Sequence, residues 1–224
     1  MINPLIQTLI LKDWRLHRAH ILLSLLGGGL AIGILQIPSR TALLLGTVGF
    51  FTTLIVLGSM LPTSNVVNEH KKQSAVFLMS LPVSPVQYAI SKMASTIGLF
   101  LVPWAALVLA GSTFILSHRD IPHGIIPVML ILFGLPLAGF CLNAGTALIS
   151  ESEGWTIAAT IVCNSSYGLS WYFIISNPTI NGALKSPVAV WSSPVLTILG
   201  AEVAAMALII GLTFFLQSKK REFV

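Results

Sequence analysis

Long uninterrupted runs of apolar residues constrain the fold of this 224-residue chain more than any other feature. A helix needs about 20 apolar residues to cross the hydrocarbon core of a bilayer, and roughly 17 to 25 are tolerated. Six blocks meet this requirement: 21–37, 41–62, 93–117, 124–149, 155–176 and 195–217. The sequence therefore predicts an all-α membrane protein with six transmembrane helices in a single domain over residues 1–224.

Composition supports the same class and excludes others. Only 8% of the residues are charged, against roughly a quarter in an ordinary soluble domain, so the chain cannot cover itself with a water-compatible surface. The basic residues lie at block edges without interleaved aromatic residues, which argues against a nucleic-acid partner. Cys141 and Cys163 lie inside apolar blocks, so we expect two free thiols without a disulfide framework or a metal site. No small-residue cleavage site follows the first block, which indicates a retained helix.

The distribution of basic residues predicts the orientation of the chain in the membrane. An even number of spans places both termini on one side, and lysine and arginine prefer the cytoplasmic side. Three basic residues, Arg40, Arg119 and Lys185, fall on the opposite side. The terminal side carries nine: Lys12, Arg15, Arg18, Lys71, Lys72, Lys92, Lys219, Lys220 and Arg221. We therefore expect both termini, and the connection between the second and third spans, to be cytoplasmic.

That connection holds an unusual concentration of polar residues, "NEHKKQSAVFLMSLPVSPVQYAISK", at 68–92. Its apolar stretch at 75–79 is too short to cross a membrane, so a short amphipathic surface helix is the simplest interpretation. Ser84, Pro85 and Gln87 then form the pattern of a helix N-terminus, with a capping hydroxyl, a proline in the first turn and a glutamine three residues after the cap. The segment is either a solvated loop with a capped helix or a rigid elbow that receives force from a cytoplasmic machine.

Two stretches, "LILKDWRLHRAHILLSLL" at the N-terminus and the polar segment just quoted, resemble the small ABC-2 family permeases. In that family a Lys-Asp pair with further basic residues precedes the first span, and an acid, the element SLPVS and a Ser-Lys pair precede the third. Motif-level likeness covers the first hundred residues, and Pro85 stands where family members often have arginine or lysine. The resemblance implies an ABC-2 transmembrane domain of the type V exporter kind.

The resemblance also implies partners and roles. The chain would be the permease subunit of an ATP-binding cassette exporter in a bacterial inner (plasma) membrane, assembled with a second permease copy or homologue and two separate ATPase subunits. The chain itself would bind no cofactor, since ATP and Mg belong to the ATPase. Residues 1–20 would form an interfacial connecting helix with Leu5, Leu9 and Leu16 on one face, and 66–84 a coupling segment. The implied ATPase contacts are Glu69, His70, Lys71, Lys72, Gln73, Phe77, Glu151 and Glu153.

Few polar residues lie within the predicted spans. Glu202 is the only acid clearly inside one, and it either lines an outward cavity or a proton-linked site, or reaches the outer interface or pairs with Lys185. The amides and hydroxyls line a translocation path or make interhelical hydrogen bonds; these residues are Asn143, Asn164, Ser165 and Ser166.

Three function classes remain open on the sequence. No G-x-x-x-x-G-K-[ST] element is present, so energy must come from a partner or from an ion gradient. The first class is an exporter of an amphipathic or hydrophobic peptide, lipid-like molecule or drug, because the spans offer few charges to hold a hydrophilic solute. The second is an ATP-independent secondary transporter, for which an inverted repeat is expected and no convincing one is seen. The third, a membrane-embedded enzyme, lacks a convergent polar site.

Overall fold

A computed structural model describes the backbone of residues 4–71, 85–118 and 121–219, and the side chains of all of these except 4–6, 70, 71 and 85–89. The described residues form helices and no strand. The α-helices are α1 (Pro4–Leu35), α2 (Arg40–Pro62), α3 (Asn68–Lys71), α4 (Pro85–Ser117), α5 (Ile126–Ser150), α6 (Glu153–Ser176), α7 (Pro178–Ala183) and α8 (Ser193–Lys219). A π-helix at Thr63–Val67 links α2 to α3, and a 3₁₀ turn at His123–Ile125 precedes α5.

The long helices run lengthwise between two ends of one bundle. At the end that we call the polar end, the first half of α1 meets α3 and the start of α4, and Gln217 near the end of α8 bonds to Leu148 near the end of α5. At the opposite end, the backbone N–H of Gly124 donates to the carbonyl of Ser186. The helix α6 packs antiparallel to α5, from Thr160 beside Asn143 to Ile174 in an apolar cluster with Ile131.

Five helical stretches are long and apolar enough to cross a membrane: Gln7–Leu35, Arg40–Val67, Ile90–Ser117, His123–Ser150 and Ser193–Lys219. They correspond to five of the six predicted spans. The sixth, α6, has 24 residues but is not among them, because Asn164, Ser165 and Ser166 interrupt its apolar sequence. Length and composition thus establish a multi-pass membrane protein with five candidate spans.

The N-terminal helix differs from the expected division into an interfacial helix and a first span. Helix α1 continues without interruption through 32 residues, about 48 Å at 1.5 Å per residue. The expected apolar face is also different: Leu9 is buried but Leu16 is exposed, and the buried positions that follow Leu9 are Asp13 and His17. The buried face of α1 is polar here because the partners of these residues lie on the neighbouring helices.

A proline changes the helical repeat at the C-terminal end of α2, at the polar end of the bundle. Pro62 has no backbone N–H, so the carbonyl of Gly58 loses the donor that a regular helix would provide. The chain then widens into the π-helix, in which the N–H of Asn68 donates to the carbonyl of Thr63. Single π turns inside α-helices occur frequently at functional sites. This turn buries Asn65, Val66 and Val67 at the polar end.

The main apolar core lies at the same end, directly beside these residues. Phe100 of α4 stacks on Phe140 of α5 with ring centroids 4.2 Å apart and planes within 4°. Gly58 of α2 lets the Phe100 ring approach the α2 backbone closely, and Gly98 of α4 does the same for the Trp14 indole. Trp14 therefore packs on α4 and on this core rather than only at a membrane interface.

Two residues join α5 to α6. Helix α5 ends at Ser150 and α6 begins at Glu153, so only Glu151 and Ser152 make the turn. Glu151 adopts a left-handed backbone conformation, with φ of 52°, and its N–H donates to the carbonyl of Ala147. This left-handed residue ends α5 in the way that glycine commonly ends a helix.

Candidate functional site

A buried lysine at the start of α4 organises the polar end of the bundle. The Lys92 ammonium lies 3.1 and 3.0 Å from the two carboxylate oxygens of Asp13 in α1, and it donates to both. It also lies 2.5 Å from Oε2 of Glu69 in α3. Lys92 is only 1% exposed and Asp13 only 2%, so one buried cation is shared by two acids from different helices.

Neutral polar side chains complete the first contacts of this group. The Asn65 amide oxygen, from the π-helix, accepts from Lys92 at 3.3 Å, and its amide nitrogen donates to Thr96 at 2.7 Å and to Ser95 at 3.3 Å. The Ser95 hydroxyl donates to Asp13 at 2.8 Å. All of these residues are buried. We call Asp13, Asn65, Glu69, Lys92 and Ser95 the ion cluster.

Glu69 connects the ion cluster to the surface. The Lys12 ammonium, which is about half exposed, donates to Oε1 of Glu69 at 2.6 Å, so the carboxylate has a lysine on each oxygen. Burial alone would raise the pKa of Glu69, but the charges and hydrogen bonds of Lys92 and Lys12 outweigh this effect and lower the pKa below its ordinary range. Glu69 is therefore ionised at neutral pH, and the four charged groups sum to zero.

The position of the ion cluster relative to the polar segment is its most informative property. Glu69 and Lys92 stand just before and just after residues 70–91, and their ion pair closes this stretch at its base. Asp13 adds α1 to the same point. The residues that carry the sequence resemblance, Lys12 and Asp13, Glu69, and Lys92, therefore meet in space although they lie far apart in the chain.

The ion cluster is a closed set of charged and neutral polar contacts. Its lysine is held by two carboxylates. In the part of the chain that the structure describes, no group of three histidine, cysteine or acidic side chains is placed to hold a metal ion. A buried ion pair is weak evidence for added stability, because the cost of removing its charges from water offsets much of their attraction.

From the sequence, Lys92 is one of the nine basic residues expected on the cytoplasmic side, but the structure buries its side chain. Its ammonium turns inward because two carboxylates and an amide oxygen provide partners that are better placed than water. Asp13 and Asn65 were not predicted as site residues at all. The signal for Asp13 and Lys92 was present in the Lys-Asp and Ser-Lys pairs, but sequence alone does not reveal that the two pairs meet.

Most of the predicted ATPase contacts fall where the structure gives no side-chain description. Lys72, Gln73, Phe77 and the predicted cap residue Ser84 lie outside the described residues, and only the backbone is described for His70, Lys71, Pro85 and Gln87. The helix α4 begins at Pro85. Glu69 lies in the ion cluster. In the α5–α6 turn, Glu151 is half-buried and Glu153 is exposed in the first turn of α6.

The predicted path residues do not form one group. Asn143 is buried and accepts from the Thr160 hydroxyl at 3.3 Å, as expected of an interhelical hydrogen bond. The other three polar residues of the set lie on exposed positions of α6: Asn164, Ser165 and Ser166.

Glu202 of α8 is 8% exposed and lies against Gly134 of α5, where a methyl group would overlap its carboxylate. Its Oε1 is buried and, among the described residues, has no hydrogen-bond partner. Lys185, which was considered as a partner, is exposed.

An apolar groove of about 290 Å³ opens between α2, α5 and α6. Its walls include Phe51 from α2, Pro136 from α5 and Trp171 from α6, with Tyr167 at its back. Pro136 removes the N–H that would otherwise bond the Leu132 carbonyl, and both residues line the groove. The groove therefore suits an apolar or amphipathic molecule rather than a charged one.

Comparison with known proteins gives one match. A family model described as ABC-2 family transporter protein matches residues 8–142, which confirms the resemblance seen in the sequence. The matched range contains α1 from residue 8 onward, the polar segment, α4 and all members of the ion cluster. No curated protein and no solved structure matches the chain significantly.

Proposed function

The chain belongs to the ABC-2 family of transporter proteins, and from this premise we propose that it is the transmembrane permease subunit of an exporter driven by a separate ATPase. One observation carries the proposal beyond the family: the polar segment that would meet the ATPase begins and ends in the ion cluster. A segment fastened in this way can pass a displacement to the helices that hold it. A loose loop would absorb that displacement instead.

The proposed topology has six crossings with both termini in the cytoplasm of a bacterial cell. Helix α6 is the additional crossing, since its 24 residues extend about 36 Å and it packs along α5 from one end of the bundle to the other. The polar end then faces the cytoplasm, in agreement with its excess of lysine and arginine. The connection at 177–192 and the 3₁₀ turn face the outside.

The proposed contact with the ATPase is the segment 66–84, with His70, Lys71, Lys72, Gln73 and Phe77 toward the partner. The turn at Glu151 and Glu153 provides a second contact at the same end of the bundle. ATP and Mg bind to the partner, two copies of which assemble with two permease subunits. Movement of the ATPase must favour one permease conformation through differential contacts, because a partner that binds both conformations equally shifts nothing.

The proposed substrate is an amphipathic or hydrophobic molecule, such as a peptide, a lipid-like compound or a drug. The apolar groove between α2, α5 and α6 supports this class, since its lining is almost entirely hydrocarbon and aromatic. Asn143 and Glu202 are buried polar groups on α5 and α8, and neither lines this groove. Helix α2 forms one wall of the groove and leads directly into the ion cluster through the π-helix.

The test is co-purification followed by reconstitution. We expect the tagged chain to retain, in mild detergent, a protein that carries a phosphate-binding G-x-x-x-x-G-K-[ST] element and hydrolyses ATP. Lys72→Glu should weaken this association, whereas the matched change Lys185→Glu on the opposite end should not. A chain that moves a fluorescent hydrophobic peptide across vesicles without the ATPase, and stops when a proton ionophore is added, would instead be a secondary transporter.

A further inference from the structure

We propose that the ion cluster is the joint that converts displacement of the polar segment into movement of α1 and α4, with Lys92 as its positioning residue. The inference rests on the proposed function, because the ATPase is what would displace the segment. It adds a role for Asp13, Asn65 and Lys92, which would not contact the ATPase, and it makes the coupling depend on the charges of Asp13, Glu69 and Lys92.

An ion pair closes the polar segment at its base. Helix α3 leads into the segment and α4 leads out of it, and the pair between Glu69 and Lys92 holds these two helices together at 2.5 Å. The side chains of this pair are largely shielded from water. An exposed pair on the surface would be screened by solvent and salt and would be weak. A displacement of 70–91 therefore cannot separate its two ends and must move α3 and α4 together.

Side chains of α4 attach α1 to the same point. Along the chain, α1 reaches the polar segment only through the whole of α2, but Lys92 donates to both carboxylate oxygens of Asp13. The Ser95 hydroxyl adds a third hydrogen bond from α4, and Trp14 packs against Gly98 one turn further on. Three contacts over two turns of α4 make α1 follow α4 when the segment moves.

Relative to apolar side chains, the buried charges of the ion cluster contribute little to the stability of the folded protein. Burying a lysine and two carboxylates costs several kcal/mol per ion, and apolar replacement of buried ion pairs is often neutral or stabilising. The bundle around the ion cluster already has an aromatic and aliphatic core, with Phe100 stacked on Phe140. Stability therefore gives little reason to keep these charges here, whereas fixing three helices in one register does.

The charges of the ion cluster and Lys12 balance one another. Lys92 and Lys12 neutralise Asp13 and Glu69, and Lys12 approaches from the water side. A neutral group moves as a unit near the membrane at a far lower cost than a net charge. The ion cluster can thus shift with the helices without separating its partners.

The experiment measures a distance at the opposite end of the bundle in the complete complex with its ATPase, in lipid nanodiscs. Spin labels are placed at Gln36→Cys after α1 and Ser117→Cys at the end of α4, which are both exposed. The native Cys141 and Cys163 are buried and take up little label. The label distance is recorded without nucleotide and with Mg-ATP and vanadate. We expect Mg-ATP to shift this distance in the otherwise unchanged chain.

The decisive variant removes all three buried charges at once: Asp13→Asn, Glu69→Gln and Lys92→Met. The triple variant leaves no buried ion without a partner, since the remaining Lys12 is about half exposed and can reach water. It should therefore fold, with a thermal midpoint equal to or above that of the parent. We expect it to lose the ATP-dependent distance shift while ATP still binds to the partner. As a single change, Lys92→Arg keeps the charge and the hydrogen-bond donors, and it should therefore show the distance shift. Lys219→Met replaces an exposed lysine at the same end and should leave the shift unchanged.

A shift that persists at full size in the stable triple variant overturns the joint and leaves the proposed function intact. A loss of the shift that follows a fall in thermal midpoint, and that Lys92→Arg shows as well, also overturns it, since a merely structural role predicts this result. If no ATPase assembles with the unchanged chain, the proposed function fails and the joint fails with it.

Discussion

The Lys92 ammonium lies 3.0 Å from a carboxylate oxygen of Asp13, a residue 79 positions earlier in the chain. This contact crosses from α4 to α1 and is completed by Glu69 from α3. Three helices that are separated by loops and by the polar segment are therefore fixed at one buried point.

Replacement of Lys92 by methionine should destabilise the protein strongly. The change leaves Asp13 and Glu69 buried without their shared cation, and breaking a buried pair in this way typically costs about 3–5 kcal/mol. Thermal unfolding of the purified protein in detergent measures the effect. Lys219→Met is the control, since Lys219 is exposed and its contact with the Phe215 ring contributes no more than about 1 kcal/mol. Equal effects of the two changes would contradict the buried pairing.

Stability at acidic pH should depend on Glu69. Its pKa is lowered in the folded protein, since the lysine contacts outweigh burial, so its contribution is present above the ordinary glutamate range. The contribution is lost as the pH falls below about 4.3, the ordinary pKa of glutamate, and through the lower folded value. Thermal midpoints from pH 7 to pH 3 should fall less for Glu69→Gln than for the unchanged chain. Parallel pH curves for the two proteins would rule out this role of Glu69.

Gly134→Ala should destabilise the contact between α5 and α8. A methyl group at this position overlaps the Glu202 carboxylate, and overpacking of this kind costs about 1–3 kcal/mol. Adding Glu202→Ala to the same chain should restore most of the loss, because the overlap disappears. Gly211→Ala in α8 meets open space and should instead raise stability by about 1 kcal/mol through helix propensity. The prediction fails if the double variant is no more stable than Gly134→Ala alone.

Gln217→Ala should weaken the polar end where α8 meets α5. The Gln217 amide donates to the Leu148 carbonyl, which lies in the last turn of α5 and has no regular helical donor. Loss of the amide leaves a buried carbonyl unpaired, at a cost of about 1–3 kcal/mol. Ser218→Ala is the matched change, since its hydroxyl is exposed and bonds within α8. Hydrogen exchange in the last turn of α5 should increase for Gln217→Ala and stay constant for Ser218→Ala.

The sequence predicts the helical architecture well because apolar length alone specifies it. Four of the six predicted spans agree closely with long apolar helices, and the first falls almost entirely within the longer α1. Helix α6 is a full-length helix of lower hydropathy. The predicted interfacial helix at 1–20 and the predicted first span at 21–37 lie on one continuous helix, since no proline or glycine stands between Pro4 and Gly27 of α1. The π-helix after Pro62 was also missed, because a proline near a helix end predicts termination rather than a wider turn.

The ion cluster was beyond sequence reasoning for a different reason. Each of its charged residues has an ordinary alternative role at a membrane surface, and Lys92 in particular reads as a topology signal. Only the packing of α1 on α4 reveals that Asp13 and Lys92 face each other, with Trp14 seated over Gly98 beside them. Glu202 stands out in the sequence as an acid inside an apolar block, but its position against Gly134 depends on the α5–α8 contact and has no signature in the sequence.

The two-residue turn between α5 and α6 has a consequence for biosynthesis. In the six-crossing topology that we propose, Glu151 and Ser152 provide too little chain for one of these helices to enter the bilayer while the other waits in water. The less hydrophobic α6 would then be carried into the membrane together with α5, its strongly apolar neighbour. A helix whose own hydropathy is marginal for insertion into a bilayer can in this way become a permanent part of the membrane domain.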